Sequence, residues 1–160
     1  NIGSDEELRV AFATIDANLK QHAPYALCTG FLIEAMQPPP IGELMLSLRR
    51  DPTFGLVLTL ASGGVLVELL GDAVTVLLPA SDTAIAIAID RLAIARILRG
   101  YRGGAAADLA PLITAITRLA KAFADDPCLS LIEINPLFVG ANYITAVDAM
   151  IMRTSAQHLD

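Results

Sequence analysis

Near the C-terminal end, residues 129–138 and 143–151 are rich in Ile, Leu, Val, Phe and Tyr, and only Val139-Gly-Ala-Asn142 separates them. Two such runs joined by so short a connection predict two antiparallel strands of a hairpin. A turn centred between Ala141 and Asn142 sets Asn135 opposite Asp148, each being equidistant from that centre. Directly opposed residues have β-carbons about 4.5–5.5 Å apart. Glu133, two residues before Asn135, shares its face of the strand. Three oxygen-bearing side chains are therefore expected together on one hairpin.

That set has a definite chemistry. A hard divalent cation takes oxygen ligands, and magnesium typically accepts one or two protein oxygens at about 2.0–2.1 Å while water and phosphate supply the rest. The amide oxygen of Asn135 and the carboxylate of Asp148 suit that pattern. Taken alone, the same residues also read as an Asn-Pro strand end with an unrelated surface aspartate, so the rest of the chain has to decide.

With 160 residues, the chain is long enough for one domain with a sizeable core. Hydrophobic residues make up 54% and charged residues 18%, the latter below the roughly 25% usual for soluble domains. Some apolar surface is thus expected to meet a partner, either the rest of a larger protein or a second copy in a homo-oligomer. Asp90 and Arg91 interrupt the apolar run from Ala84, and Glu34 breaks the one at Gly30, so no membrane span is expected. A basic, signal-type start is missing too. Cys28 and Cys128 lie in or beside expected strands and read as reduced core thiols of a cytoplasmic protein. A net charge of −6 and a pI near 4.8 leave no electrostatic footprint for nucleic acid.

Read in order, Asn1-Ile-Gly3 looks like a strand end, and Ser4-Asp-Glu-Glu7 is a capping box opening a helix with Leu8, Phe12, Ile15 and Leu19 on one face. A β meander follows, with strands near 27–35, 43–50, 54–60, 65–70 and 73–78, punctuated by Pro38-Pro-Pro40, Arg50-Asp-Pro52, Ser62-Gly-Gly64 and Gly71-Asp72. Two helices are expected next, over 82–98 and from an Asp108 cap to about Ala124, before the final hairpin and a tail at 154–160. This order predicts an α+β fold: an antiparallel-rich β-sheet with helices packed on one face, leaving the other face to line a site. Glu34, Glu43 and Glu68 sit in those apolar strands, where each also reads as the solvated side of a half-buried strand. Arg49, Arg50 and Asp51 read as a solvated turn.

Five segments in this order, GFLIEAM, GELMLSLRRDPTFG, ASGGVLVELLGD, LRGYRGG and LIEINPL with AVDAMI, make the chain resemble the ATP-grasp domain of the NDP-forming acyl-CoA synthetases, relatives of the succinyl-CoA synthetase β subunit. The resemblance covers residues 1–152 and implies that residues 1–153 form the C-terminal lobe of an ATP-grasp module. The family condenses an organic acid with coenzyme A through an acyl-phosphate and a phosphohistidine, coupled to ATP or GTP. Carried over by position, Asn135 and Asp148 become Mg2+ ligands and Glu133 the carboxylate beside the phosphoryl-accepting histidine. The backbone of Glu34, Ala35 and Met36 matches the hinge that reads the base edge, and Glu43 an acidic residue close to the nucleotide. Arg102 is the local cation best suited to a phosphate, since a guanidinium binds two oxygens at once.

The departures are equally specific. The family's glycine motif has Ala61 where its first glycine belongs, followed by Ser62, Gly63 and Gly64. Neither His22 nor His158 matches the phosphohistidine, and the phosphate-holding lysine of the upstream lobe has no counterpart. Residues 1–160 are therefore expected to be inactive alone, relying on the remaining domains of a parent synthetase for coenzyme A and the organic acid. Two other readings fit the same residues: a regulatory nucleotide- or acyl-CoA-sensing module fused to a protein acetyltransferase, and a degenerate interaction domain.

Overall fold

Ser4 ends an extended approach (φ −150°, ψ 161°) and starts α1, Asp5–His22. Its hydroxyl accepts from the Glu7 N–H at 3.2 Å, and Glu7 Oε2 accepts in turn from the Gly3 N–H at 2.6 Å. This is the expected capping box, closed one residue earlier on its return side. The computed structural model describes residues 2–63 and 71–154. The expected strand 65–70 with Glu68, together with Asn1, Gly64 and the tail from 155, His158 included, lies outside the described residues.

Two compact units divide the chain, Asn1–Pro38 and Pro39–Asp160. In the first, α1 buries no residue completely, and Phe12 meets Phe31 edge-on with centroids 4.4 Å apart. The strand expected at 27–35 does not form: residues 26–40 belong to no helix or strand, and Leu32 and Ile33 stand 84% and 65% exposed. A strand needs a neighbour to take its N–H and C=O groups, and the described part of this unit supplies only a helix. Cys28 is accordingly exposed rather than a core thiol, and both cysteines are free.

The second unit is built on an antiparallel sheet of β1 (Gly42–Asp51), β2 (Gly55–Ser62), β3 (Ala73–Leu77), β4 (Leu129–Val139), β5 (Ile144–Ala146) and β6 (Ala149–Arg153). The order is β3-β2-β1-β4-β5, with β6 also on β4. Leu44, Leu46 and Leu48 of β1 are at most 1% exposed and pack against Ile85 and Ile89 of α2 (Asp82–Asp90) and Ile116 and Phe123 of α4 (Ala110–Asp125). Each such side chain contributes about 1.5–3 kcal/mol on burial. The alternate residues of the strands face the uncovered side, and register aligns Thr75, Thr59, Ser47, Glu133 and Met150 in one row across it. Among the described residues of this unit, the expected α+β architecture with helices packed on one face of the sheet is what the chain adopts.

Two expectations give way to tertiary contacts. The helix at 82–98 is broken into α2 and a short α3, Ala95–Leu98, because both oxygens of Asp72 take the Ala93 N–H, at 2.9 and 3.1 Å, in place of a helical carbonyl. Asp72 also accepts from the Ser62 hydroxyl, tying the end of β2 to the break. At the start of α4 the cap position is Leu109, while Asp108 Oδ1 accepts from the Ala110 N–H at 3.0 Å.

Arg50 is exposed as expected, but it lies in β1 and its side chain is anchored rather than free in a turn. Its Nε donates to Leu129 O at 2.8 Å and its Nη2 to Phe123 O and Asp126 O, both at 3.0 Å, with the guanidinium 5.2 Å from the Phe123 ring centroid. It thereby holds the C-terminal carbonyls of α4 against the start of β4, a favourable site for a cation at a helix end. Asp51 beside it accepts from the Phe54 and Thr53 N–H groups, which hold its carboxyl below the usual 3.8. With the folded value depressed, that contribution is complete above the unfolded pKa and lost as pH falls through the folded one. Replacing Arg50 by Ala is expected to lower unfolding stability by about 2 kcal/mol, the scale of hydrogen bonds to a charged group. Lysine, a point donor, should restore only part of it, as read by urea denaturation of both variants.

Candidate functional site

The hairpin register fixes the site. From Leu131↔Met152 through Glu133↔Met150 and Ile134↔Ala149 to Val139↔Ile144, every pair is equidistant from the Ala141–Asn142 bond. Asn135 falls opposite Asp148 in the same frame, and the Asn135 N–H donates to Asp148 O at 3.1 Å. At the turn, a β-carbon on Gly140 would lie 1.9 Å from the Tyr143 ring, so only glycine lets the strands close this tightly. The second strand divides into β5 and β6, with Val147 and Asp148 between them.

On its other side, β4 carries a bulge. Leu44 pairs with Leu137 and Leu46 with Ile134, leaving Met45 alone to face both Asn135 and Pro136. Bulges of this kind re-aim side chains beside sites. Glu133 and Asn135 flank Ile134, which packs into the core, so both leave the helix-covered side. Asn135 Oδ1 is buried and has no hydrogen-bond partner among the described residues. A buried amide oxygen without a partner carries its full desolvation cost, and a cation ligated by it would remove that cost. The donor set fits a hard divalent ion in this limited sense: two oxygens, from Asn135 and the exposed Asp148, with no further acidic cluster. Among the described residues, no three His, Cys, Asp or Glu side chains gather to hold a metal, so the remaining ligands would have to be water or phosphate.

Glu43 lies at the same end of the sheet, opposite Phe138. Its carbonyl accepts from the Gly63 N–H at 2.6 Å, and a β-carbon on Gly63 would meet the Glu43 and Leu44 backbone at 2.7 Å. The glycine motif is thus used here for backbone packing against Glu43, at Gly63. Arg102 sits in the 3-10 turn Tyr101–Gly103 with φ 52° and ψ 38°, a left-handed conformation that costs a non-glycine residue about 1–2 kcal/mol. Its guanidinium lies 5.3 Å from the Tyr101 ring centroid and forms no ion pair among the described residues. Glu34, Ala35 and Met36 belong to the first unit, where they line an apolar groove of about 510 Å3 with Leu8, Phe12 and Ile15 of α1.

One polar residue escaped the reading of the sequence. Ser47, directly opposite Glu133, is 8% exposed. Its signal is a lone hydroxyl inside the apolar run Leu44-Met-Leu-Ser-Leu48, which alternation alone assigns to the uncovered face.

Comparison with known proteins follows the same lines. A family model described as an ATP-grasp domain matches residues 1–152. A trans-feruloyl-CoA synthase from an unknown prokaryotic organism is 33% identical over 158 residues, 95% of this chain and 22% of that protein. The β subunit of ADP-forming acetate–CoA ligase I from Pyrococcus furiosus is 33% identical over 150 residues, 93% of this chain and 64% of that subunit. The chain therefore spans less than two thirds of each of these relatives. Among solved structures, the dinucleotide-forming acetyl-coenzyme A synthetase 1 of Candidatus Korarchaeum cryptofilum superposes with a TM-score of 0.82 at 28% identity, covering 96% of this chain and 66% of that one. That structure holds coenzyme A and Mg-AMPPCP, with its phosphohistidine segment pointing towards the nucleotide-binding site.

Gly63→Ala is expected to cost about 1–3 kcal/mol, the usual range for overpacking, because the new methyl meets backbone on both sides of Leu44 N. Thermal unfolding of the variant measures the loss, and an unchanged midpoint would mean that β1 yields at Glu43.

Proposed function

The chain belongs to the ATP-grasp domain family, and we propose that it is the nucleotide- and magnesium-binding lobe of an acid–CoA ligase that forms ADP or GDP. The observation that carries this reading is the buried Asn135 Oδ1, without a hydrogen-bond partner among the described residues and set opposite Asp148 on the face of the sheet away from the described helices of its unit. The relatives support the reaction class, being a feruloyl-CoA synthase, an acetate–CoA ligase and a 4-hydroxybutyrate–CoA ligase. Their acids differ widely, and the chain spans 22% of the first and 20% of the last. Choice of acid therefore belongs to the rest of the parent protein, as does the binding of coenzyme A.

The reaction runs in three transfers. The terminal phosphoryl group of ATP leaves ADP for an imidazole nitrogen of the parent, then passes to a carboxylate oxygen of the acid. The thiol of coenzyme A finally displaces it as inorganic phosphate, giving the thioester. Asn135 and Asp148 would hold Mg2+, which would supply positive charge between the carboxylates and the phosphates. Without such an ion, two like charges about 4 Å apart repel by roughly 4 kcal/mol at an effective dielectric of ~20. Glu133, in the next row of the same face, orients the incoming imidazole and stabilises its cationic form.

Glu43, its backbone held by Gly63, hydrogen-bonds the ribose or supports the metal's outer shell. Arg102 pairs with phosphate oxygens; its left-handed backbone and its lack of an ion pair among the described residues support this role. The backbone of Glu34, Ala35 and Met36 reads the base, and the apolar groove they line is of a size usual for small-molecule sites. ATP or GTP serves as the nucleotide.

The test is ADP release by the full-length protein carrying this chain, given Mg-ATP, coenzyme A and a panel of short-chain, hydroxy and aromatic acids. Release is expected to need both acid and coenzyme A and to fall about 100-fold or more with Asp148→Ala, the upper scale for loss of a metal-site group. Residues 1–160 alone should turn nothing over. Release that ignores the acid, or an Asp148→Ala variant at the parental rate, overturns the reading.

A further inference from the structure

Ser47 has register partners on both sides: Glu133 on β4 and Thr59 on β2. Leu46 and Leu48 beside it point into the core, so its hydroxyl lies on the uncovered face next to the Glu133 carboxylate. It is only 8% exposed. Neither Ser47 nor Glu133 makes a side-chain hydrogen bond or ion pair among the described residues. Farther along the same row, Thr59 and Thr75 satisfy each other, with hydroxyl oxygens 3.2 Å apart. The hydroxyls remote from Glu133 are therefore committed, and the one nearest to it is not. The group opposite this uncommitted hydroxyl is a carboxylate, the acceptor that makes the stronger kind of O–H hydrogen bond.

We propose that Ser47 is a positioning residue for Glu133: its hydroxyl donates to one carboxylate oxygen and leaves the other turned towards the phosphoryl-accepting imidazole. The inference rests on the reading of Glu133 given above. Reach is adequate, since directly opposed β-carbons stand about 4.5–5.5 Å apart, within the combined extension of a seryl oxygen and a glutamyl carboxylate. Bonds of this kind commonly tighten only when the site is loaded. Packing by itself would be served equally well by alanine, so the two roles separate experimentally.

The experiment is single-turnover phosphorylation of the full-length protein by Mg-ATP, with KM for nucleotide and thermal midpoint, in the parent, Ser47→Ala, Ser47→Thr, Glu133→Gln and the Ser47→Ala/Glu133→Gln pair. Ser47→Ala is expected to phosphorylate about 10-fold more slowly, the effect of one hydrogen bond to a charged group, with KM and midpoint unchanged. Ser47→Thr, which keeps the hydroxyl, should retain the parental rate, and the double variant should be no slower than Glu133→Gln. If Glu133→Gln is slow but Ser47→Ala matches the parent, the role of Ser47 is overturned while the Glu133 reading stands. A Ser47→Ala loss that persists in full on the Glu133→Gln background also overturns it, because Ser47 would then act elsewhere. Glu133→Gln at the parental rate removes the Glu133 reading and the Ser47 proposal together.

Discussion

The pairing of β4 with its neighbours is the constraint on which the rest depends. Side chains in a strand alternate with a period of two, so a slip of one residue would turn Glu133 and Asn135 into the core and Ile132 and Ile134 out of it. The hydrophobic effect forbids that exchange, since it would bury charge under the helices and expose the residues that fill the sheet's covered face. The tight turn at Gly140 and the core alternation agree on one register, and that register is what sets Asn135 against Asp148. Geometry suited to a cation thus comes from packing forces that have nothing to do with a ligand.

The sheet is asymmetric in a way that follows from this. The described helices of the larger unit lie against one side, held there by leucines of β1 and by two polar clamps: Arg50 on the C-terminal carbonyls of α4, and Asp72 on the N–H of Ala93. The opposite side has no cover among the described residues of that unit, and its polar groups gather where β1, β4 and β6 meet. A rigid, covered back and an open polar front are the conditions under which a surface can receive a charged ligand without rebuilding itself. The bulge at Asn135 and Pro136 adds a local adjustment, breaking the flat ladder where the proposed ligands stand.

Much of this was legible before any coordinates. Capping at Ser4, the hairpin frame around Ala141–Asn142, the strands over 43–50 and 54–60, and the one-sided helical cover all follow from local pattern, because turn chemistry and apolar periodicity act over a few residues. The failures are also physical. Residues 27–35 read as a strand of the meander, yet with no neighbouring strand among the described residues of their unit they remain irregular and Cys28 is exposed. The helix at 82–98 breaks because a distant carboxylate, Asp72, outcompetes a helical carbonyl. Arg50 resembled a solvated turn residue since its three acceptors lie more than seventy positions away.

By itself, the sequence determined which side chains are proposed for the chemistry and where they ride: Glu133, Asn135 and Asp148 on one hairpin, Glu43 on the strand at 43–50, and Arg102 between glycines. Each of those placements depends on spacing along the chain, and spacing is local. The tertiary structure decided what surrounds them. It left the Asn135 oxygen buried and, among the described residues, unpaired, pressed Gly63 onto the backbone of Glu43, bent Arg102 into a left-handed turn and set Ser47 against Glu133. These are contacts between residues far apart in the chain. They depend on which face of which strand is covered, and only the packed sheet settles that.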